Sequence, residues 1–380
     1  MKLLEGILVL DFSQFLSGPS ASLRLADLGA RVIKIEKPEI GDICRTLYVS
    51  DTEIAGDSTL FHAINRNKES FVADLKRESD IEKIHKLIRQ ADIVMHNFRP
   101  GVMQRLGFDY DSIKAIKEDI VYAEISGYGE EGPWSKLPGQ DLLLQALSGL
   151  TYLNNTKEAP PTPMGVSVVD ILAGTHLAQG ILAALYRREN TGLGQKVEVN
   201  MLESALDYQF EVFTTFLNDG ESLPERCENN HAHAYVAAPY GVYQTADAHL
   251  ALAMGDIPFL GKLLGCKELE VYTDKSSWFP LRDEIKTVLA KHLTGKSTQY
   301  WLDLLEPADI WCAEVFDYGQ LRKQEGYRQL NMEMDVKHSN GGTIKTTRCP
   351  IRVNGQLLTS NKAAPTLGQQ QQEISKEFDL

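Results

Sequence analysis

The sequence has 380 residues, 43% hydrophobic and 24% charged, enough for two domains or one large α/β domain with an elaboration, and without the composition of a disordered chain. Its 39 Lys and Arg against 52 Asp and Glu leave a formal net charge of -13 with no strongly basic stretch, which argues against a nucleic-acid or anionic-membrane partner. The amino-terminal run, broken by Glu5 and Asp11, lacks signal-peptide character, and no uninterrupted apolar run reaches the roughly 18 residues of a membrane span, so a soluble cytoplasmic protein is expected.

In chain order, GILVLD (Gly6 to Asp11) predicts a buried strand, and SASLRLADLGA a packed helix behind Gly18-Pro19. ARVIKIEKP and SFVADL read as strands, SDIEKIHKLIRQA as a helix, DIVMHNF as a strand, YDSIKAIKE as a helix and IVYAEISGYG as a strand. Strands alternating with helices predict a parallel sheet with right-handed crossovers, that is, a doubly wound α/β domain. The turn after the first strand has no G-x-G-x-x-G, and Gly18 and Gly29 lie far apart, so a dinucleotide-binding oxidoreductase loses its main support.

Residues 165–192 predict a long helix ending in basic residues and Gly192, followed by the strand GQKVEVNML and the helix ESALDYQFEVFTTFLNDG. After Gly220 the polar, aperiodic ESLPERCENNHAHAYVAAP reads as a linker or functional loop. A hairpin about Ala246-Asp247 and helices at FLGKLLG and LRDEIKTVLAKHL then predict a smaller α+β domain. The chain closes with two short strands in GGTIKTTRCPIRVNG and a polar helix, LGQQQQEISKEF, whose glutamines read as a solvated face. The domains expected are therefore 1–220, 221–320 and a returning segment, 321–380.

Metal and disulfide chemistry have little support. The five cysteines are scattered without C-x-x-C, and no H-E-x-x-H occurs. His231 and His233, two apart, suit a loop or one strand face better than a helical metal pair. One carboxylate does stand out: Asp170, in MGVSVVDILAG, lies within an apolar run at the start of the long helix. Ser167 and Asp170 have capping-box spacing, so a helix cap and a catalytic acid both remain open on these residues alone.

Taken together, GILVLDFSQFLSGPSASLRLADLGARVIKIEKPEIGD, NRNKESFVADL, DIVMHNFRPGVMQRLGFDYD, ISGYGEEGPW and GVSVVDILAG resemble the successive motifs of the family III CoA-transferases, a group related to the α-methylacyl-CoA racemases. The resemblance spans nearly the whole chain and is densest over the first 205 residues. It implies a large Rossmann-like domain, a smaller domain joined to it by linkers, and a homodimer whose chains interlock. It also implies transfer of CoA from an acyl-CoA to a small carboxylic acid, with coenzyme A as substrate and no permanently bound cofactor.

By the same resemblance Asp170 is the nucleophile, passing through mixed anhydrides and an aspartyl-CoA thioester. Leu16 and Ser17 fall on the loop nearest the reaction, and Lys37 at a position that meets a CoA phosphate. Asn67, Lys68, Asn97, Phe98, Arg99 and Arg105 fall at CoA-binding positions, and Gln140 and Asp141 on a segment lining the CoA site. Formyl-CoA transferases carry Gln at the position of Leu16, so a formyl-type or oxalate substrate is put in doubt, and they have a glycine-rich mobile loop where this chain has NNHAHAYVAAP. His231, His233 and Tyr235 either shape an acyl pocket there, or meet a substrate carboxylate, or are solvated loop residues. Racemases have His where this chain has Gln140; an amide does not titrate, so racemisation is disfavoured. A noncatalytic acyl-CoA-binding homologue is the reading from another class.

Overall fold

The computed structural model describes residues 2–47, 52–339 and 341–380, and its Cα positions group into two units. The larger contains Met1–Leu144, Ser167–Ala205 and Gln329–Leu380; the smaller contains Gln145–Val166 and Leu206–Arg328.

The larger unit is built on a six-stranded sheet. In chain order its elements are β1 (Leu8–Asp11), α1 (Ser17–Asp27), β2 (Arg31–Glu36), the short hairpin β3 (Glu53–Ile54) and β4 (Asp57–Ser58), α2 (Thr59–Asn65), β5 (Glu69–Val72), α3 (Glu78–Gln90), β6 (Ile93–His96), α4 (Val102–Leu106), α5 (Tyr110–Ile116), β7 (Val121–Ser126), α6 (Asp141–Leu147, which ends in the smaller unit), α7 (Leu150–Leu153, in the smaller unit), α8 (Val168–Thr191) and β8 (Gln195–Asn200). The sheet runs β5-β2-β1-β6-β7-β8 with every pairing parallel, an order of 3-2-1-4-5-6 counted over its own strands.

Alternation along each strand divides the core between two faces. Val9, Val32, Ile93, Val121 and Ala123 pack against Leu25 of α1 and Ala173, Leu177 and Ile181 of α8. Leu10, Ile33, Phe71, Val94 and Tyr122 pack on the opposite face against Ile84, Leu87 and Ile88 of α3 and Ile113 of α5. Gly174 lets α1 and α8 cross closely, because a Cβ there would lie 2.1 Å from Ser20 Oγ and 2.6 Å from Ser17 O. By length and composition α8 would suit a membrane span, yet nine of its residues, among them Val169, Leu177 and Ile181, are buried within the chain.

Two of the four C-terminal glutamines, Gln370 and Gln371, are turned onto the sheet, whereas Gln369 and Gln372 are exposed as expected. Gln370 Oε1 accepts from Ser70 N (2.9 Å), and Gln371 both accepts from Val72 N (2.7 Å) and donates to Val72 O (3.2 Å). They satisfy the free edge of β5, a row of backbone groups that would otherwise be open to another strand, while Ile374 and Phe378 join the core.

The smaller unit contains the three-stranded antiparallel sheet of Gly241–Gln244, His249–Leu252 and Cys312–Glu314, packed on helices Ile257–Leu264, Arg282–Leu293 and Thr298–Leu305. Its limits differ from the breaks expected after residues 220 and 320. The pattern from Glu203 onward reads as one helix, but the structure interrupts it near Gln209, and the helix Phe210–Asn218 buries none of its residues. Residues 145–166 join this unit because the Arg226 guanidinium donates to the carbonyls of Asn154, Lys157 and Ala159.

Candidate active site

In a parallel α/β sheet, ligands bind beyond the carboxyl ends of the strands where the winding reverses, here between β1 and β6. The loop leaving β1 carries Phe15, Leu16 and Ser17; the turn leaving β6 carries Asn97, Phe98 and Arg99. These two segments face a cavity of about 500 Å³ whose lining also includes Gln140, Asp141, Ser167 and Asp170.

Asp170 stands in the first turn of α8 near Ser17, the first residue of α1, whose hydroxyl and backbone N–H act to lower its pKa. The partial positive charge of two helix N-termini therefore reaches this carboxylate. Burial, reinforced by the negative charge of Asp141, nevertheless outweighs the effect of Ser17 and pushes its pKa up to about 6.

The capping box does not form, since the Ser167 side chain makes no cap hydrogen bond. Asp141 supplies the cap instead, its Oδ1 accepting from Val169 N (2.7 Å) and Asp170 N (3.2 Å). Asp170 is thus relieved of helix-end duty and faces the cavity.

Asn97 works as a clamp. It donates to Gln14 O (2.6 Å) and to Ser17 Oγ (3.2 Å), and its Oδ1 accepts from Gln14 N (2.8 Å), so it touches the cavity while fixing the loop that carries Ser17. Beneath that loop lies a buried charge network. Lys34 pairs with Asp42 (2.8 Å) and donates to Ser13 O (2.7 Å); Asp42 Oδ1 accepts from Phe15 N (3.2 Å); Arg45 pairs with Glu36 (2.7 Å) and Asp57 (2.8 Å).

Two expected CoA contacts belong to this internal framework. Lys68 is fully buried on Asp11 Oδ2 (3.2 Å), Pro19 O (2.9 Å) and Asn65 Oδ1 (2.9 Å). Asn67, in the left-handed region at φ 66°, donates to Ala26 O (2.8 Å) and accepts from Ser360 Oγ (2.7 Å). Neither lines the cavity, because each side chain is spent holding α1 or the C-terminal segment in place.

The remaining expected residues sit at or near the surface of the crevice. Lys37 is exposed and, with Lys76, borders an apolar slot formed by Phe12, Leu75, Phe98 and Leu106. Arg99 is exposed and faces both the Asp170 cavity and a neighbouring polar cavity of about 330 Å³ that contains the paired His96 and Glu124 (3.2 Å). Arg105 is exposed on α4 and lines neither cavity.

In the smaller unit His231 is a staple, its Nδ1 accepting from Cys227 N (3.0 Å) and its Nε2 lying 3.0 Å from Leu153 O; burial lowers its pKa. His233 lies 3.7 Å from Glu211, and Tyr235 OH reaches Ser222 O (3.5 Å). Sequence reasoning missed Phe15, Leu47, Leu60, Leu137 and Met201, which also line the Asp170 cavity. Phe15 adjoins Leu16 in the loop after β1, but Leu47, Leu60 and Met201 carry no local signal and meet only through tertiary structure.

The sequence and the fold of this chain are similar to those of known proteins. The family model described as CoA-transferase family III matches residues 4–371. The acetyl-CoA:oxalate CoA-transferase of Acetobacter aceti is 32% identical over 384 residues, covering 98% of this chain and 95% of that protein. The succinyl-CoA:mesaconate CoA-transferase of Haloarcula marismortui is 30% identical, covering 99% of this chain and 96% of its own length. A CAIB/BAIF family protein from Brucella suis has a TM-score of 0.85 at 28% identity, covering 99% of each chain. With a similarity that runs through the large parallel sheet and the smaller unit alike, the chain belongs to CoA-transferase family III.

Proposed function

We propose that the chain moves CoA from an acyl-CoA donor to a carboxylic acid acceptor with Asp170 as the nucleophile. The observation that carries this reading is the aspartate itself: it lines the cavity together with Ser17 and has its capping role taken over by Asp141.

The steps balance without an added base. The Asp170 carboxylate attacks the thioester carbonyl and CoA thiolate leaves, giving a mixed anhydride. The thiolate attacks the aspartyl carbonyl, forming the aspartyl-CoA thioester and releasing the first acid. The second acid attacks that thioester, expels the thiolate and forms a second anhydride; thiolate attack at its acyl carbon then regenerates Asp170. An anhydride keeps the thioester's free energy, which an ester on a serine would lose. A pKa of about 6 leaves roughly nine-tenths of Asp170 ionised at pH 7, and a more basic carboxylate is a better nucleophile.

For the cofactor moiety, Leu16, Ser17, Phe98, Gln140 and Asp141 form the wall beside the thioester, while Lys37, Arg99 and Arg105 supply cations for its phosphates. The slot beside Lys37 suits a flat aromatic ring packed on Phe98. Gln140 lines the cavity as an amide, which favours transfer over proton exchange at the α-carbon.

The same reading includes a doubly wound Rossmann-like domain, a smaller α+β domain and an interlocked homodimer in the cytoplasm. A second copy is supported by Phe210, Phe213 and Leu217, which stand exposed on a helix that buries none of its residues in this chain. Light scattering at micromolar protein tests this, with twice the chain mass expected.

The decisive experiment is intact-protein mass spectrometry after incubation with an acyl-CoA panel and hydroxylamine, comparing wild type with Asp170→Ala. A hydroxamate mapping to Asp170 in wild type alone supports covalent carboxylate catalysis. CoA binding with no adduct from any acyl-CoA overturns it.

A further inference from the structure

We infer that the acid exchanged at Asp170 is a monocarboxylic acid with an apolar tail, and that the acid-binding end of the cavity rejects a second carboxylate. This rests on the transferase reading and adds the substrate class to it.

The wall beside Ser17 carries large apolar side chains. Phe15, Leu16, Leu47 and Leu60 line the cavity that holds Asp170. They come from three separate stretches, the loop after β1, the segment following Ile43–Arg45, and α2, so their convergence is a product of the fold. Leu16 and Leu60 are backed by Cys44, Phe61, Ile64 and Ala364, which puts apolar packing behind them rather than water.

The loop is also held in an unusual conformation. Phe15 has φ 60°, in the left-handed region that large side chains rarely adopt, and its N–H is held by the buried Asp42 (3.2 Å). With Asn97 fixing Gln14 on one side and α1 beginning on the other, Phe15 and Leu16 are locked where they stand. A strained residue that the surrounding structure over-determines is a common feature of ligand sites.

The cations close to this wall are already committed. Lys34 serves Asp42 and Ser13 O, Arg45 serves Glu36 and Asp57, and Lys68 serves Asp11. All three are buried. Among the described residues the one cationic side chain lining the cavity is Arg99, which belongs to the turn after β6 and also faces the neighbouring polar cavity. A distal carboxylate placed among Phe15, Leu16, Leu47 and Leu60 would face apolar side chains with no described cation but Arg99, whereas an alkyl tail would gain from contact with them. The relatives described above are named for oxalate and mesaconate, both dicarboxylic acids, so the inference separates this chain from them.

Identity exchange tests it whatever the natural donor and acceptor are, because the same acid stands on both sides of the reaction. The full-length protein is incubated with butyryl-CoA and isotopically labelled butyrate, with isobutyryl-CoA and labelled isobutyrate, and with succinyl-CoA and labelled succinate, and label entering the CoA ester is followed. Butyryl or isobutyryl exchange is expected to exceed succinyl exchange by at least about 100-fold in kcat/KM, since even one methylene is worth up to about that ratio and an unpaired charge more. Leu16→Gln, which brings an amide donor to the wall, is expected to narrow the ratio by raising succinyl exchange. Succinyl exchange equal to or faster than the monocarboxylate reactions overturns the inference and leaves the transferase reading standing. No exchange with any acid, together with no hydroxamate at Asp170, overturns both.

Discussion

Asp141 caps the helix on which Asp170 stands, accepting from the backbone N–H groups of Val169 and Asp170 at 2.7 and 3.2 Å, and its negative charge helps raise the Asp170 pKa. One residue thus helps to fix the place of Asp170 and, after burial, adds to its basicity. Asp141→Asn keeps an acceptor oxygen for the cap but removes the like charge. The acid limb of the kcat/KM profile, expected near pH 6 in wild type, should move to lower pH in this variant. Asp141→Ala should in addition lose about 1 kcal/mol of stability through the missing cap, read as a lower Tm. An unchanged acid limb in Asp141→Asn would show that Asp141 does not tune Asp170.

Asp170 should be costly to the fold. Its pKa is raised from 3.8 to about 6, so between those values the folded chain binds more protons than the unfolded one, and stability falls as pH rises through that window. Above it the cost is fully present; below about 3.8 it vanishes. Asp170→Asn should therefore be inactive yet more stable than wild type at pH 8, by about 1–3 kcal/mol for a partly buried group, with the difference shrinking towards pH 4. Paired denaturant titrations at the two pH values measure this. A variant less stable than wild type at pH 8 would return Asp170 to a structural role.

Much of the large sheet was legible because each strand obeys a simple rule. GILVLD and DIVMHNF are short apolar runs bounded by turn residues, and they became β1 and β6 at the point where the sheet reverses. Asp170 was legible as an acid in an apolar run, but the cap itself comes from a residue 29 positions away, Asp141, which no local pattern links to this helix. Depth is the quantity that sequence patterns report least. Lys68 and Lys37 look equally solvated in the chain, yet one is fully buried on Asp11 and the other exposed at the crevice. Gln370 and Gln371 failed in the same way: their polarity suggested water, and their partners are the backbone groups of β5. Leu47 and Leu60 have no local pattern that marks them, because only the closed fold brings them to the cavity.

The contrast between the two lysines gives a direct test. Asp11 is held down near 2 because Lys68, Lys34, Ser13 and Ser22 together outweigh the effect of its burial, while burial takes Lys68 down to about 8. Lys68→Met leaves the Asp11 carboxylate short of a buried partner and should cost about 3–5 kcal/mol. Lys37→Ala should leave stability within about 0.5 kcal/mol of wild type and raise KM for acyl-CoA severalfold with kcat little changed, as loss of uniform binding does. Thermal denaturation and steady-state kinetics on both variants decide the matter. A Lys68→Met protein of normal stability but weak CoA affinity would move Lys68 from the framework to the CoA site.

Gly174 ties packing to chemistry. It lies one helical turn beyond Asp170, where α8 crosses the start of α1, and a methyl group added there would meet Ser20 Oγ at 2.1 Å and the Ser17 carbonyl oxygen at 2.6 Å. Alanine favours a helix over glycine by about 1 kcal/mol, but overpacking of this kind costs about 1–3 kcal/mol, so Gly174→Ala should be neutral to destabilising. The sharper effect concerns the site. Relief of the clash requires α1 to move away, which takes Ser17 from Asp170 and weakens its lowering effect on that pKa. The acid limb of the rate profile should therefore rise above pH 6 and kcat fall by about tenfold or more, since small misplacements of reacting groups are severe. A variant with lowered Tm but an unmoved acid limb and full kcat would show that the close crossing serves the fold alone.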